Sequence, residues 1–272
     1  MHPLIISATE LNQLIDSENN QELLLLDLSA HEVYQQGTIP GAVYMDYASI
    51  VAGIQPFLHK LPSAAKFAQS LAKVGYRDSM HIVAFDDEFG LKAARLYWTL
   101  SMAGLSNFSM LNGGLGAWLE SGYQLGTDAK VSAASTIMDL SWVGSFLADA
   151  KQIEASLPEQ NMFIWDARSY PEWSGEECYA ERAGRIPGAQ HLDWKSFLDE
   201  KGRILSKEEL TKILHNFLDG NNKEVVAYCQ GHRRAAMAFL ISAYIGMTIK
   251  TYDGSWMEWG NTQSLPIESG ND

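Results

Sequence analysis

The chain repeats itself, and no other feature constrains its fold as tightly. Leu23-Leu24-Leu25-Leu26-Asp27 is an apolar run ending in an acid, and Met162-Phe163-Ile164-Trp165-Asp166 is another. Gly37-Thr38-Ile39-Pro40-Gly41-Ala42 is answered by Gly184-Arg185-Ile186-Pro187-Gly188-Ala189. His81-Ile82-Val83-Ala84-Phe85-Asp86 is answered by Glu224-Val225-Val226-Ala227-Tyr228-Cys229. Lastly, the turn Asn112-Gly113-Gly114 before Trp118 corresponds to Asp253-Gly254-Ser255 before Trp259. Asp27, Gly37, Asp86 and Trp118 precede Asp166, Gly184, Cys229 and Trp259 by 139, 147, 143 and 141 residues. The order is kept, and the polar stretch 172–182 accounts for most of the drift. A duplicated chain of 272 residues is expected to form two domains of about 130 residues each.

Helices fit between these buried strands. Ser7 with Glu10, and Ser206 with Glu209, are capping-box pairs, each opening an amphipathic run. Ser63 opens a third run through Phe67, Leu71 and Val74. Strands that alternate with helices imply an α/β architecture, a mostly parallel sheet covered on both faces. We place the first domain at residues 1–126, a linker rich in small residues at 127–136, and the second domain at 137–272.

One strand end carries reactive chemistry. Tyr228-Cys229-Gln230-Gly231-His232-Arg233-Arg234 puts a thiol after the run Val225-Val226-Ala227 and before the helix-forming run Ala235 to Leu240. A cysteine between a strand's carboxyl end and a helix's first turn meets backbone N–H groups that have no intrahelical partner. Those dipoles, with Arg233 and Arg234 beside them, favour the thiolate. A buried core thiol is the ordinary fate of a lone cysteine, but the strand–loop–helix setting and two arginines point to a nucleophile.

Composition excludes several other classes. The net charge of −13 is unsuited to a nucleic-acid partner, although an acidic protein can own a basic pocket. With 46% hydrophobic and 19% charged residues the chain can build substantial cores. It has only two cysteines, Cys178 and Cys229, so no disulfide framework and no cysteine-based metal site is expected. No apolar stretch is long enough for a bilayer, and Met1 to Ile6 do not read as a secretion signal. A cytoplasmic protein without a membrane partner is the expectation.

These residues resemble the two-domain rhodanese family of sulfurtransferases over nearly the whole chain. The resemblance rests on Asp166-Ala167-Arg168, Ile186-Pro187-Gly188-Ala189, the loop from Cys229 to Arg234, and Asp253-Gly254-Ser255-Trp256. The first half carries the companion pattern Asp86, Gly90, Ala93-Ala94-Arg95 and Trp98. The Cys-Gln-x-His-x-Arg loop is similar to that of bacterial thiosulfate sulfurtransferases. The resemblance implies two tandem rhodanese-like domains and a catalytic Cys229 that carries sulfur as a covalent persulfide, without a dissociable cofactor. Thiosulfate or a similar anion would be the donor, and cyanide or a thiol the acceptor. Gln230, Gly231, His232, Arg233 and Arg234 would contact the substrate. Asp86 stands where Cys229 stands in the second half, and a carboxylate cannot carry sulfur, so the first domain would be catalytically silent.

Cysteine-dependent phosphatases compete for the same pattern, but they place an arginine after five intervening residues. Here that position is Ala235, and the arginine falls one residue early at Arg234. Mercaptopyruvate sulfurtransferases usually end the loop in a hydroxyl residue, which is absent here, so thiosulfate is favoured and 3-mercaptopyruvate is the alternative donor. A partner-dependent persulfide carrier stays open. So does the donor contact: many relatives have an arginine near the position of Glu172, where an acid would repel an anion if it faced the pocket. Arg168 is then either a donor contact or a structural ion-pair residue. His232 is a donor to substrate or a rim residue. Trp256 and Trp259 line the mouth or pack in the core, and Trp194 is expected to wall the cleft between the domains. Cys178 lies among Glu176, Glu177 and Glu181, whose charges disfavour a thiolate. Replacing Cys178 by Ser is therefore expected to leave the rate of sulfur transfer unchanged, and a large loss would contradict this.

Overall fold

The computed structural model describes residues 2–17, 20–126, 135–143 and 145–270. Two compact units result, one per repeat, with one segment each from the other half of the chain. The first comprises Met1–Ala52, Leu61–Val143 and Asp199–Ile204; the second comprises Gly53–Lys60, Gly144–Leu198 and Leu205–Asp272. Most of the linker expected at 127–136 lies outside the described residues. Residues 135–143 side with the first unit: the Val143 N–H donates to the Met102 carbonyl at 2.8 Å, and Trp142 stacks on Phe67.

The first unit holds β1 (Ile5–Ile6), β2 (Leu23–Asp27), β3 (Val43–Tyr44), β4 (His81–Phe85) and β5 (Phe108–Leu111). They form one sheet in the order β1-β5-β4-β2-β3, and every pair is parallel. The second unit holds β6 (Met162–Asp166), β7 (Gln190–His191), β8 (Glu224–Tyr228) and β9 (Lys250–Thr251), again all parallel, in the order β7-β6-β8-β9. A parallel bridge from Leu147 to Thr251 stands where β1 stands in the first sheet. Parallel strands need crossovers, and the crossover helices cover the sheet faces.

The sequence repeats are repeats of local geometry. Ser7 and Ser206 make their capping boxes with Glu10 and Glu209, and Ser63 accepts from the Lys66 N–H. The two Ile-Pro-Gly-Ala motifs are the same turn. Ala42 N–H donates to the Ile39 carbonyl and Ala189 N–H to the Ile186 carbonyl, both at 3.0 Å. Gly41 and Gly188 stand at φ +84° and +75°, a left-handed backbone that a side chain disfavours.

Register then fixes which residue leaves each sheet. Leu23–Asp27 pairs with His81–Phe85, and Met162–Asp166 pairs with Glu224–Tyr228, residue for residue. Asp86 and Cys229 are each the first residue past the central strand. The cores beneath are apolar. Trp256 and Trp259 lie in the second one, at 1% and 0% exposure, so they pack in the interior and do not line a mouth. Trp194 is also buried. Among the described residues no helix is long and apolar enough to cross a membrane.

The loop after β4 shows what a strand end facing a helix start demands. The buried Asp86 carboxylate accepts four backbone N–H groups, from Glu88 (2.7 Å), Gly90 (2.9 Å), Lys92 (2.8 Å) and Ala93 (2.9 Å). Lys92 and Ala93 lie in the first turn of the helix Leu91–Met102, so the side chain satisfies donors that the helix leaves over. Burial pushes the Asp86 carboxyl up, and the N–H groups of Ala93, Glu88 and Gly90 oppose it. Asp86→Ala should cost about 2–4 kcal/mol, because buried donors lose their acceptor, while Asp86→Asn, which keeps an acceptor oxygen, should cost less. Urea denaturation measures both, and a loss for Asp86→Ala below about 0.5 kcal/mol would contradict this role.

Candidate active site

In the second unit the same strand end carries sulfur. Cys229 follows β8 and is 1% exposed. Its N–H donates to Ser255 Oγ at 3.2 Å, and its carbonyl accepts from the Trp256 N–H at 2.8 Å. The Gln230 carbonyl accepts from the Met257 N–H at 2.9 Å. Residues 255–257 thus pin the base of the loop. Ser255 is a non-glycine residue at φ +50°, where the first half has Gly114 at +56°. A serine held in that sparsely populated region is strained. Its buried hydroxyl explains the choice, since it accepts from Cys229 and donates to the Tyr252 carbonyl at 2.9 Å.

The loop from 230 to 232 turns into the helix Arg233–Tyr244. Gly231 lets His59 approach closely: a Cβ there would lie 2.9 Å from His59 Cδ2. His59 belongs to Gly53–Lys60, the segment of the first half that the second unit includes. Lys60 anchors that segment, its Nζ 2.6 Å from Glu258 Oε1, while Tyr252 donates to Glu258 Oε2 at 2.8 Å. His232 is the helix's N-cap residue at φ +73° and gives no side-chain cap. The first-turn N–H groups behind it have no acceptor within the helix. The Gln230 side chain donates to the Tyr179 carbonyl at 2.8 Å, tying stretch 172–182 to the loop.

The expected contact residues separate into two groups. Gln230, Gly231, Arg233 and Arg234 stay with Cys229 on the loop and the first helical turn. The His232 ring is fully buried, its Nε2 2.8 Å from Thr251 Oγ1 on β9, so it is neither on the rim nor reaching outward. Arg168 is 1% exposed, held by Asp166 through Nε and Nη2 and donating to the Gly184 carbonyl at 2.7 Å. Its guanidinium also stacks over Trp256 at 4.6 Å. Of the two roles open to Arg168, this is the placement of the structural ion pair. Tyr228 completes the cluster by donating to Asp166 at 2.5 Å.

Glu172 has a partner that the chain's order does not announce. Arg234 Nη1 lies 2.5 Å from Glu172 Oε2, and Nη2 lies 2.9 Å from Oε1, a fork on a carboxylate. Ser169 adds its N–H (3.2 Å) and hydroxyl (2.9 Å) to Oε2. The acid that would repel an anion lies on a guanidinium of the loop's own helix. Burial disfavours the Arg234 charge, but Glu172 and the Cys229 sulfur hold the guanidinium well above its ordinary range. Cys178 is exposed, and its thiol donates to the Ala180 carbonyl at 3.0 Å. Among the described residues no group of three or more His, Cys, Asp or Glu is placed to hold a metal ion.

Ser255, His59 and the Glu172–Arg234 fork are the features that sequence reasoning missed. Only Ser255 had a usable signal, because it aligns with a glycine in the other half.

The chain matches the profile of the rhodanese-like domain at residues 7–121 and again at 149–262. It is 32% identical to a thiosulfate sulfurtransferase of Azotobacter vinelandii over 98% of this chain and 97% of that one. A thiosulfate sulfurtransferase of Pseudomonas aeruginosa is 30% identical over the same shares. A probable 3-mercaptopyruvate sulfurtransferase of P. aeruginosa is 33% identical over 88% of this chain and 87% of that protein. The fold also matches an anaerobic ergothioneine biosynthesis enzyme of Chlorobium limicola, with a TM-score of 0.85 at 23% identity, over 99% of this chain and 71% of that one.

Burial works against the Glu172 charge, yet Arg234 and Ser169 outweigh it and hold its carboxyl below the ordinary range. A depressed folded value means the stabilisation is complete above the unfolded pKa of about 4.3 and is lost as pH falls through the folded value. Urea denaturation of the native chain and Glu172→Gln should therefore show a stability gap that is constant near neutrality and shrinks in acid. A gap that widens in acid would contradict the fork.

Proposed function

The chain belongs to the rhodanese-like family as two such domains in tandem, and from that premise we propose that it is a sulfurtransferase working through a Cys229 persulfide. One observation carries the proposal. Cys229 stands at the strand end whose counterpart, Asp86, has its side-chain oxygens on four backbone N–H groups. A thiolate, and then a persulfide anion, is the species such a cradle stabilises.

The cycle has two displacements. The Cys229 thiolate attacks the outer sulfur of the donor; a sulfur–sulfur bond forms and the donor's bond to that sulfur breaks. With thiosulfate, sulfite departs with the electron pair. An acceptor such as cyanide or a thiolate then takes the outer sulfur and the Cys229 thiolate returns. Gln230, Gly231, Arg233 and Arg234 form the substrate-facing loop in this proposal, and His232 and Arg168 support it from within. The first domain, residues 1–126, takes no part in the chemistry, because Asp86 is already committed to its own loop. Both cysteines are free thiols in the structure, and a reducing compartment such as the cytoplasm suits that state.

Full-length similarity to two thiosulfate sulfurtransferases supports thiosulfate as a donor. The fork on Arg234 favours a second reading, in which 3-mercaptopyruvate or a protein partner delivers the sulfur and thiosulfate turns over slowly. Initial rates of thiocyanate formation from cyanide, with thiosulfate and with 3-mercaptopyruvate, separate these readings. Double-reciprocal plots should be parallel, as in ping-pong kinetics, and Cys229→Ser should abolish the rate with either donor. Retained turnover in Cys229→Ser would sink the mechanism.

A further inference from the structure

Several guanidinium groups of the second unit are occupied by the protein itself. Arg168 is held by Asp166. Arg185 pairs with Glu268. Arg182 donates to the carbonyls of Trp259, Gly260 and Leu265. Arg234, in the first turn of the helix that follows the Cys229 loop, carries Glu172 on its forked face. A planar guanidinium offers that face to one carboxylate or one oxyanion at a time.

The Glu172 carboxylate is also not free to swing away. It is the last member of a capping box on the short helix Tyr170–Ser174, fixed by the N–H and hydroxyl of Ser169. At 4% exposure it is shielded from water, so its charge acts on neighbours at short range with little screening.

From this we infer that Glu172 is a specificity-determining residue: a resident carboxylate that occupies the anion face of Arg234 and disfavours small dianionic sulfur donors. The inference rests on the sulfurtransferase reading and deepens it. A dianion such as thiosulfate must either displace a tethered carboxylate or bind beside it. Sulfur arriving on a monoanionic or uncharged carrier meets less repulsion.

Glu172→Gln tests this with the capping box intact, since glutamine serves at the same position. The KM for thiosulfate should fall by about tenfold or more, with kcat changing less than KM, and the KM for 3-mercaptopyruvate should fall less. Calorimetric binding of thiosulfate and sulfite to Cys229→Ser, with and without Glu172→Gln, reads the same effect without turnover. The gain should vanish in Glu172→Gln/Arg234→Met, which separates occupancy of Arg234 from a general loss of negative charge. Unchanged or weaker anion binding in Glu172→Gln would overturn the inference. So would a gain that survives the loss of Arg234. If these anions bind neither protein while Cys229 still acquires sulfur from another donor, the inference falls and the sulfurtransferase reading stands.

Discussion

A parallel strand that ends in front of a helix start leaves a cluster of N–H groups with nothing to bind, and each half of this protein is organised around meeting that demand. The first half meets it with its own side chain, by placing the Asp86 carboxylate on the N–H groups of residues 88, 90, 92 and 93. The second half puts Cys229 at the matching position and braces the backbone behind it with Ser255, Trp256 and Met257. A demand for negative charge closed by a carboxylate becomes, with sulfur in its place, an environment for a nucleophile.

The two loops differ in length, and this has a chemical consequence. Four residues separate Asp86 from its helix at Leu91, against three between Cys229 and the helix at Arg233. In the shorter loop Gly231 lies against His59 and His232 takes the left-handed backbone. His232 is then buried against Thr251, and Arg233 and Arg234 fall in the helix's first turn. Arg234 thereby sits within one helical turn of the Cys229 loop and reaches Glu172.

Much of this was legible before any coordinates, because it is local. The repeated Ile-Pro-Gly-Ala turns need a left-handed glycine, the Ser-x-x-Glu boxes mark helix starts, and the period of apolar runs sets strands against helices. The duplication added register, so the equivalence of Asp86 and Cys229 could be read directly. What stayed hidden depends on side chains that meet across long stretches of chain. The partners Glu172 and Arg234 are 62 residues apart. Glu172 alone looks like a repulsive acid, and Arg168 alone looks like an anion contact; each changes meaning once its partner is known. His59 was out of reach for the same reason, since nothing in Gly53–Lys60 announces that it packs with the second unit. Ser255 lay between these cases: its backbone strain is invisible in one copy and suggested by Gly114 in the other.

The central claim is that Cys229 carries sulfur covalently, and intact-protein mass spectrometry tests it most directly. After incubation with thiosulfate or 3-mercaptopyruvate and removal of excess donor, the account predicts a mass increase of one sulfur atom. It should map to the peptide containing Cys229, disappear on addition of cyanide, and be absent from Cys229→Ser. Sulfur found only on Cys178, or on neither cysteine with both donors, would contradict it.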